Sequence, residues 1–386
     1  MNYLETRKRK RVTIMSQTDN ANKGKLLYIN NLRILLITLI VLLHIAITYG
    51  AEGSWYYYEN TNDIATAVLL TLFNAIVQSF ALGFFFMIAG YFTPGSYDRK
   101  GAGGFIKDRL LRLGIPFFVY FFLISPVLTY TLYVRFMGKD LDITSMFGSG
   151  PLWFVQVLFI FAASYALWRR FSRSKTVMPR QDGRPLGHQQ ILIFAIALSL
   201  ANFVVRIWFP LGTAFSNLQF SYFPGYISLF IVGIAAYQNK WFDTFTDSVG
   251  KKWLMIAVAT ILLFPVVVVF GGALDDIAPF QGGFHWQSMV LSAWEAFVGT
   301  GMIAGLFVIF RNRFDRQGHL AKTMAENAYA VYIIHAPVVV FFAYSLRHVA
   351  IHLVLKFVLV APSGVGLCFL VSNYIVRRIP FAEKIL

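Results

Sequence analysis

Apolar residues in this chain follow neither a two-residue nor a 3.6-residue rhythm; they run in blocks separated by short polar stretches. The blocks fall at 32–50, 64–92, 113–134, 151–168, 190–209, 222–238, 253–271, 286–310, 328–346 and 349–376. Each holds enough apolar residues to cross a bilayer, which takes about 20 in a helix. Lipid offers no partner to an open backbone group, so helices are the elements such blocks predict. The pattern therefore predicts an all-α polytopic membrane protein with ten transmembrane helices. Between the blocks, segments 51–63, 135–150, 210–221 and 272–285 are rich in Gly, Pro, Ser, Asn and aromatic residues. These are expected on the outer side, where they floor or cover an outward-facing site. The longest connection, 169–189, carries "RRFSRSKTVMPRQDGRPLG" and reads as a flexible cytoplasmic connector.

Composition agrees with this reading. Hydrophobic residues make up 57% of the 386 and charged residues 13%, against about a quarter charged in soluble proteins. The net charge of +16 raises the question of nucleic acid, but the placement of the basic residues answers it. With the N-terminus inside, all but five of the 34 Lys and Arg fall on cytoplasmic segments or the adjoining helix ends. The exceptions are Arg135, Lys139, Arg206, Arg347 and Lys356. That is the positive-inside pattern, which places both termini in the cytoplasm and makes the partner a lipid bilayer and not nucleic acid. Residues 1–26, with "RKRKR" at 7–11, are expected to form a disordered basic cytoplasmic tail, attracted to anionic lipid by about 1 kcal/mol per basic residue. No composition shift or internal repeat divides the rest, so 27–380 is expected to be a single membrane domain. The one cysteine, Cys368, excludes an intramolecular disulfide and any multi-cysteine metal site, and no metal is expected.

Ionisable groups inside apolar helices cost roughly 2.5 to 3.5 kcal/mol, which makes each one a functional candidate. Three stand out. His44 follows Arg33 by eleven residues in "NNLRILLITLIVLLHIAITYG", Glu295 lies in "SMVLSAWEAFVGTG", and His335 lies deep in the ninth block. Arg33 marks the cytoplasmic boundary, His44 sits about 16 Å above it, and Glu295 sits roughly 13 Å below the outer end of its helix. The two depths are comparable, so a His44–Glu295 dyad facing an interior cavity is expected, with the carboxylate orienting the imidazole. The plainer reading of either histidine is a hydrogen bond to a neighbouring helix, a contribution of about 0.6 kcal/mol. A second constellation, "GFIKDRLLRLGIP", brings Lys107, Arg109 and Arg112 to the cytoplasmic boundary. Arg109 and Arg112 are three apart on one face, which suits bidentate capture of phosphate and equally suits positive-inside anchoring.

Taken in order, these stretches resemble the acyltransferase family 3 membrane acyltransferases, nearest the glucan biosynthesis protein C branch, whose members succinylate periplasmic glucans. The likeness covers about residues 27 to 380. Arg33 and His44 match the family's Arg, ten residues, His; Arg109 and Arg112 match its cytoplasmic Arg-x-x-Arg. "FFFMIAGYF" resembles its Phe-rich stretch, "GPLWFVQVLF" its Leu-Trp-Phe motif, "SAWEAF" its membrane glutamate, and "ENAYAVYIIHAPV" its late Tyr-x-x-His-x-Pro signature. The resemblance implies a multi-pass protein of a bacterial inner or plasma membrane that transfers an acetyl or succinyl group from cytoplasmic acyl-CoA. The acceptor it implies is a hydroxyl of an extracytoplasmic carbohydrate or glycan. It further implies His44 as the catalytic base or a transient acyl carrier, Glu295 as its orienting partner, and Arg33, Lys107, Arg109 and Arg112 as holders of the coenzyme A phosphates. Trp153, Asn327, Tyr332 and His335 are candidate supports of the oxyanion. An extracytoplasmic hydrolase-like domain of the kind fused to some members of the family is not expected in this chain. The rival function is a proton-coupled transporter using His44, Glu295 and His335 as a relay, which predicts repeat symmetry and broken helices in matched halves; the sequence shows no such repeat.

Overall fold

A computed structural model describes residues 26–59, 63–172, 185–273 and 275–385. The expected tail, Leu26 apart, and 173–184 of the cytoplasmic connector lie outside the described residues. Among the described residues the architecture is nearly all helical, and the β structure consists of an isolated bridge between Phe215 and Leu218. Nine helices there are long and apolar enough to cross a membrane: α1 (Leu27–Thr48), α2 (Ile64–Phe136), α3 (Gly150–Phe171), α4 (His188–Trp208), α5 (Phe220–Gln238), α6 (Asp247–Phe270), α7 (Trp286–Arg313), α8 (His319–Ser345) and α9 (Leu353–Arg378).

The difference from the expected ten lies in α2. The second and third apolar blocks fall on one helical run of 73 residues. Were it straight, at 1.5 Å per residue it would measure about 110 Å, far more than a hydrocarbon core of about 30 Å. The backbone breaks inside it at Gly101, where φ is 67° and ψ is 170°. That conformation is open to glycine at no steric cost, so the run bends there. Beyond the bend, wide π turns at Leu110–Gly114 and Tyr120–Ile124 precede Pro116 and Pro126. Proline supplies no N–H to the helical ladder, and a widened turn accommodates the missing bond. At the other end, Asp63 caps the helix by accepting from the amides of Ala65 (3.1 Å) and Thr66 (3.3 Å).

Packing sets α1 at the centre, in contact with α2, α7, α8 and α9. A helix apolar on every side belongs inside the bundle, and α1 is such a helix. Its cytoplasmic end is fastened by Asn31, whose amide donates to the carbonyls of Phe314 (2.6 Å) and Arg316 (3.0 Å) in the α7–α8 connection. By contrast, α6 packs along α7 and leaves Leu262, Leu263 and Val266 exposed. Such exposure is compatible with lipid, whose tails are as apolar as leucine.

The crossing of α2 and α5 is tight. A Cβ added at Gly90 would overlap the carbonyl oxygen of Phe230, and one added at Gly233 would overlap that of Met87. Two glycines thus let the backbones meet directly, the role small residues play at helix interfaces in membranes. Gly90→Ala is therefore expected to destabilise the protein by about 1–3 kcal/mol through overpacking. Gly225→Ala on the same α5, where an added Cβ meets nothing within 4 Å, serves as the control and is expected to leave stability intact. Thermal unfolding of the detergent-solubilised protein measures both; equal melting temperatures for the two variants would contradict the close approach.

Candidate active site

Two buried polar centres emerge, and they separate residues that the sequence reading joined. The first is built on His44 and His335. Helix α1 contacts α8 along its length, which brings the two imidazoles to 5.0 Å between ring centroids, with Nε2 of His335 3.3 Å from Nδ1 of His44. Each ring is also held by its own helix. His44 Nδ1–H donates to the Ile40 carbonyl (2.9 Å), and His335 Nδ1–H donates to the Tyr332 carbonyl (2.6 Å). Because carbonyl oxygens only accept, these contacts fix the tautomers. Both Nδ1 atoms carry the proton, His335 Nε2 presents a lone pair to His44 Nδ1–H, and His44 Nε2 is left with a free lone pair. An imidazole oriented through Nδ1 with a basic Nε2 is the arrangement a general base requires.

The segment 51–59 closes over this pair. Trp55 stacks on His44 at 3.9 Å with 25° between planes and lies nearly parallel to His335 at 5.9 Å. Its indole N–H is buried without a protein acceptor. Next to it, the Tyr56 hydroxyl meets that of Tyr120 at 3.0 Å, and Tyr133 donates to the Tyr56 carbonyl at 2.6 Å. Burial raises the Tyr56 phenol above its ordinary pKa. Burial and the Glu59 carboxylate push Tyr57 up to about 12. Both phenols therefore stay protonated and neutral at physiological pH.

Glu295 belongs to the second centre. Its carboxylate accepts from Arg206 on α4, which also donates to Ser292 (3.2 Å) and lies with its guanidinium 5.6 Å from the Tyr222 ring centroid. Arg206 is completely buried. No described contact joins Glu295 to His44, so the expected dyad is not formed. Comparable depth on two helices does not make two side chains face each other; their rotation about the helix axes decides that. A polar cavity of about 30 Å³ beside Glu295 is lined by Gln78, Asn202, Tyr222, Tyr226 and Thr300. Leu229 and Thr300 are shared with a larger cavity of about 290 Å³, walled mainly by apolar residues such as Met87, Phe194, Phe242 and Phe307, with Gln190 also lining it.

The remaining candidates scatter. Trp153 lies 5.7 Å from Tyr226 and 6.4 Å from Phe154, between the two centres. Tyr332 is buried near His335, but its hydroxyl donates to the Pro151 carbonyl. Asn327 donates to Thr323 (2.8 Å) and Asn373 (3.1 Å) and accepts from Ser372 (2.7 Å), so its amide is consumed in joining α8 to α9. Eight residues before His335, about 12 Å along the helix, it is removed from that pair. Arg33 lies over Phe92, Arg109 over Phe105, and Arg112 pairs with Asp108 at 3.2 Å while Lys107 is exposed. Arg109 keeps a buried Nε without a protein partner. No described contact links Arg33 to the 109–112 pair. Sequence reasoning missed the ion-pair roles of Arg206, Lys356 and Glu59. A signal existed for two of them: Arg206 and Lys356 are basic residues outside the positive-inside pattern.

Removing one member of a buried ion pair strands the other charge, at a cost of about 3–5 kcal/mol. Arg206→Met and Glu295→Leu are each expected to lose that much stability, and the double variant to regain most of it. A double-mutant cycle by thermal unfolding tests this, and additive losses would contradict the pairing.

Comparison with known proteins gives the family. Residues 26–373 match the family described as an acyltransferase domain, acyltransferase family 3. Proteins named glucans biosynthesis protein C from Salmonella typhi and Salmonella typhimurium (strain LT2) are each 22% identical over 344 residues, covering 85% of this chain and 86% of theirs. No solved structure matches the chain. With nine-tenths of its length matched and a multi-pass helical architecture, the chain belongs to the acyltransferase 3 family and is an acyltransferase.

Proposed function

We propose that this protein is a membrane O-acyltransferase that moves an acetyl or succinyl group from cytoplasmic acyl-CoA to a hydroxyl of an extracytoplasmic carbohydrate. The observation that carries the reading is the His44–His335 pair, which leaves one basic imidazole nitrogen free among buried helices. Family membership supplies the acyltransfer, and the name of the Salmonella relatives supports a glucan-like acceptor. In this reading the bend at Gly101 divides α2 into two crossings, which makes ten in all and returns both termini to the cytoplasm. The enzyme then lies in a cell membrane, as the positive-inside pattern supports.

His44 Nε2 takes the proton from the acceptor hydroxyl as its oxygen attacks the thioester carbonyl carbon. The carbon–sulfur bond breaks, and the proton passes from the imidazolium to the departing coenzyme A thiolate. The pair of histidines shares the transient positive charge through the Nδ1–H···Nε2 contact. Trp55 Nε1–H, a buried donor without a protein acceptor, is suited to stabilise the developing oxyanion. Arg33 lies about 16 Å from His44 along α1, which places a coenzyme A phosphate site there within reach of a pantetheine arm threaded along that helix. Arg109 and Arg112 complete the docking site, and Lys107 adds positive charge. The proton-relay reading has less support, since Glu295 is engaged by Arg206 and has no described contact with either histidine.

Transfer from radiolabelled acetyl-CoA or succinyl-CoA to glucan oligosaccharides in proteoliposomes tests the reading. His44→Ala is expected to lower the rate by about a hundred- to ten-thousand-fold. His335→Gln, which keeps an acceptor for His44 Nδ1–H, is expected to retain far more activity than His335→Leu. Wild-type rates in folded His44→Ala protein would remove the base. Isothermal titration with coenzyme A tests the donor site, and a dissociation constant unchanged by Arg109→Ala or Arg112→Ala would remove those residues from it.

A further inference from the structure

Lys356 and Glu59 form a buried ion pair that the proposed chemistry does not use. Lys356 lies on α9, is 2% exposed, and meets Glu59 with its ammonium nitrogen 2.6 Å from the carboxylate. The ammonium also lies 5.7 Å from the ring centroid of Tyr49, at the end of α1. A buried lysine in a membrane helix is costly unless it is paired, and the pair contributes little net stability over an apolar replacement. What distinguishes this pair is the segment it holds. Glu59 ends the described stretch 51–59, and its amide donates to the Thr48 carbonyl at 2.7 Å, four residues after His44. The Tyr57 hydroxyl donates to the same carboxylate at 3.4 Å. Four residues before Glu59, Trp55 lies flat on the His44 ring. One charge contact thus ties α9 to the segment that covers the histidine pair.

We propose that Lys356 and Glu59 are positioning residues for the active site: their ion pair clasps segment 51–59 to the bundle and so holds the Trp55 indole against the His44 and His335 rings. Neither residue touches the histidines; each acts through Trp55. The segment's other ties run to α2, through Tyr56 to Tyr120 and Tyr133 to the Tyr56 carbonyl, to α1, through the Glu59 amide to the Thr48 carbonyl, and to α8, through the Tyr57 ring edge-on to Tyr344 at 5.4 Å. The clasp is the tie from α9. With it released, the segment loses its one charged tie, keeping uncharged contacts to α1, α2 and α8, and the indole loses its fixed register over the imidazole. The inference deepens the acyltransferase reading, because the held indole both orients His44 and presents its N–H beside it.

Cysteine labelling tests the clasp without any acyl donor or acceptor. The chain has one native cysteine, Cys368, which is fully buried. A His44→Cys variant in proteoliposomes therefore reports access to position 44 by its rate of reaction with a membrane-impermeant methanethiosulfonate added outside. Adding Lys356→Met or Glu59→Gln is expected to raise that rate at least tenfold, towards that of His44→Cys with Trp55→Ala. The charge-exchanged protein, His44→Cys with Glu59→Lys and Lys356→Glu, is expected to return the rate towards that of His44→Cys alone. Equal labelling of His44→Cys with and without Lys356→Met would overturn the clasp. So would a charge exchange that leaves position 44 as accessible as the single changes do. In proteins that keep His44, Lys356→Met is expected to reduce acetyl-CoA turnover at least tenfold with little change in KM for acetyl-CoA, and the charge exchange to restore it. Faster labelling with unaltered turnover would sink the positioning role while leaving the acyltransferase reading intact, whereas absence of turnover in the wild type would sink that reading and not the clasp.

Discussion

A charge buried among apolar helices must find a partner, and the arrangement of this bundle depends on that constraint. Arg206 meets Glu295 between α4 and α7, Lys356 meets Glu59 between α9 and the outer segment, and Arg169 meets Asp98 at 2.8 Å between α3 and α2. Each partnership ties together elements remote in sequence. Lipid gives apolar helices no reason to prefer one another over solvent tails, so polar contacts of this kind, together with close backbone packing, select which faces meet. The Gly90–Gly233 crossing supplies the second ingredient, letting α2 and α5 approach until backbone touches backbone.

Within that frame the polar groups divide into two classes. Arg206 and Glu295 satisfy each other, so neither offers an unshared charge to a reacting molecule. His44 and His335 are different: each spends its Nδ1 proton on a backbone carbonyl, and their mutual contact leaves His44 Nε2 uncommitted. The two pairs thus differ in remaining valence: the ion pair is closed, while the histidine pair keeps one nitrogen lone pair uncommitted. Trp55 strengthens the distinction by restricting the histidine ring to one plane.

Much was legible in the chain. Hydropathy located every apolar helix, including the short ones at 151–168 and 222–238, because the length needed to cross hydrocarbon and the absence of backbone partners in it are properties of a segment alone. The family followed from motifs in order, and His44 stood out because an imidazole in such a helix is expensive. The misjudged elements share one cause. The reading paired His44 with Glu295 by depth, gave Asn327 a role near His335, and treated Arg206 and Lys356 as stray cations, all without knowledge of helix rotation.

Rotation about a helix axis is read from an amphipathic stripe, and helices apolar on all sides carry almost none. The sequence by itself therefore determined the class of protein, the approximate placement of its spans, and the chemical types stationed inside them. Only the tertiary structure decided that the run carrying the second and third apolar blocks bends at Gly101 and that Glu295 answers Arg206. It alone decided that His335 is the residue facing His44 and that Trp55 covers them both. Those outcomes rest on packing between helices distant in the chain, where steric fit and charge pairing choose among faces that hydropathy leaves equivalent.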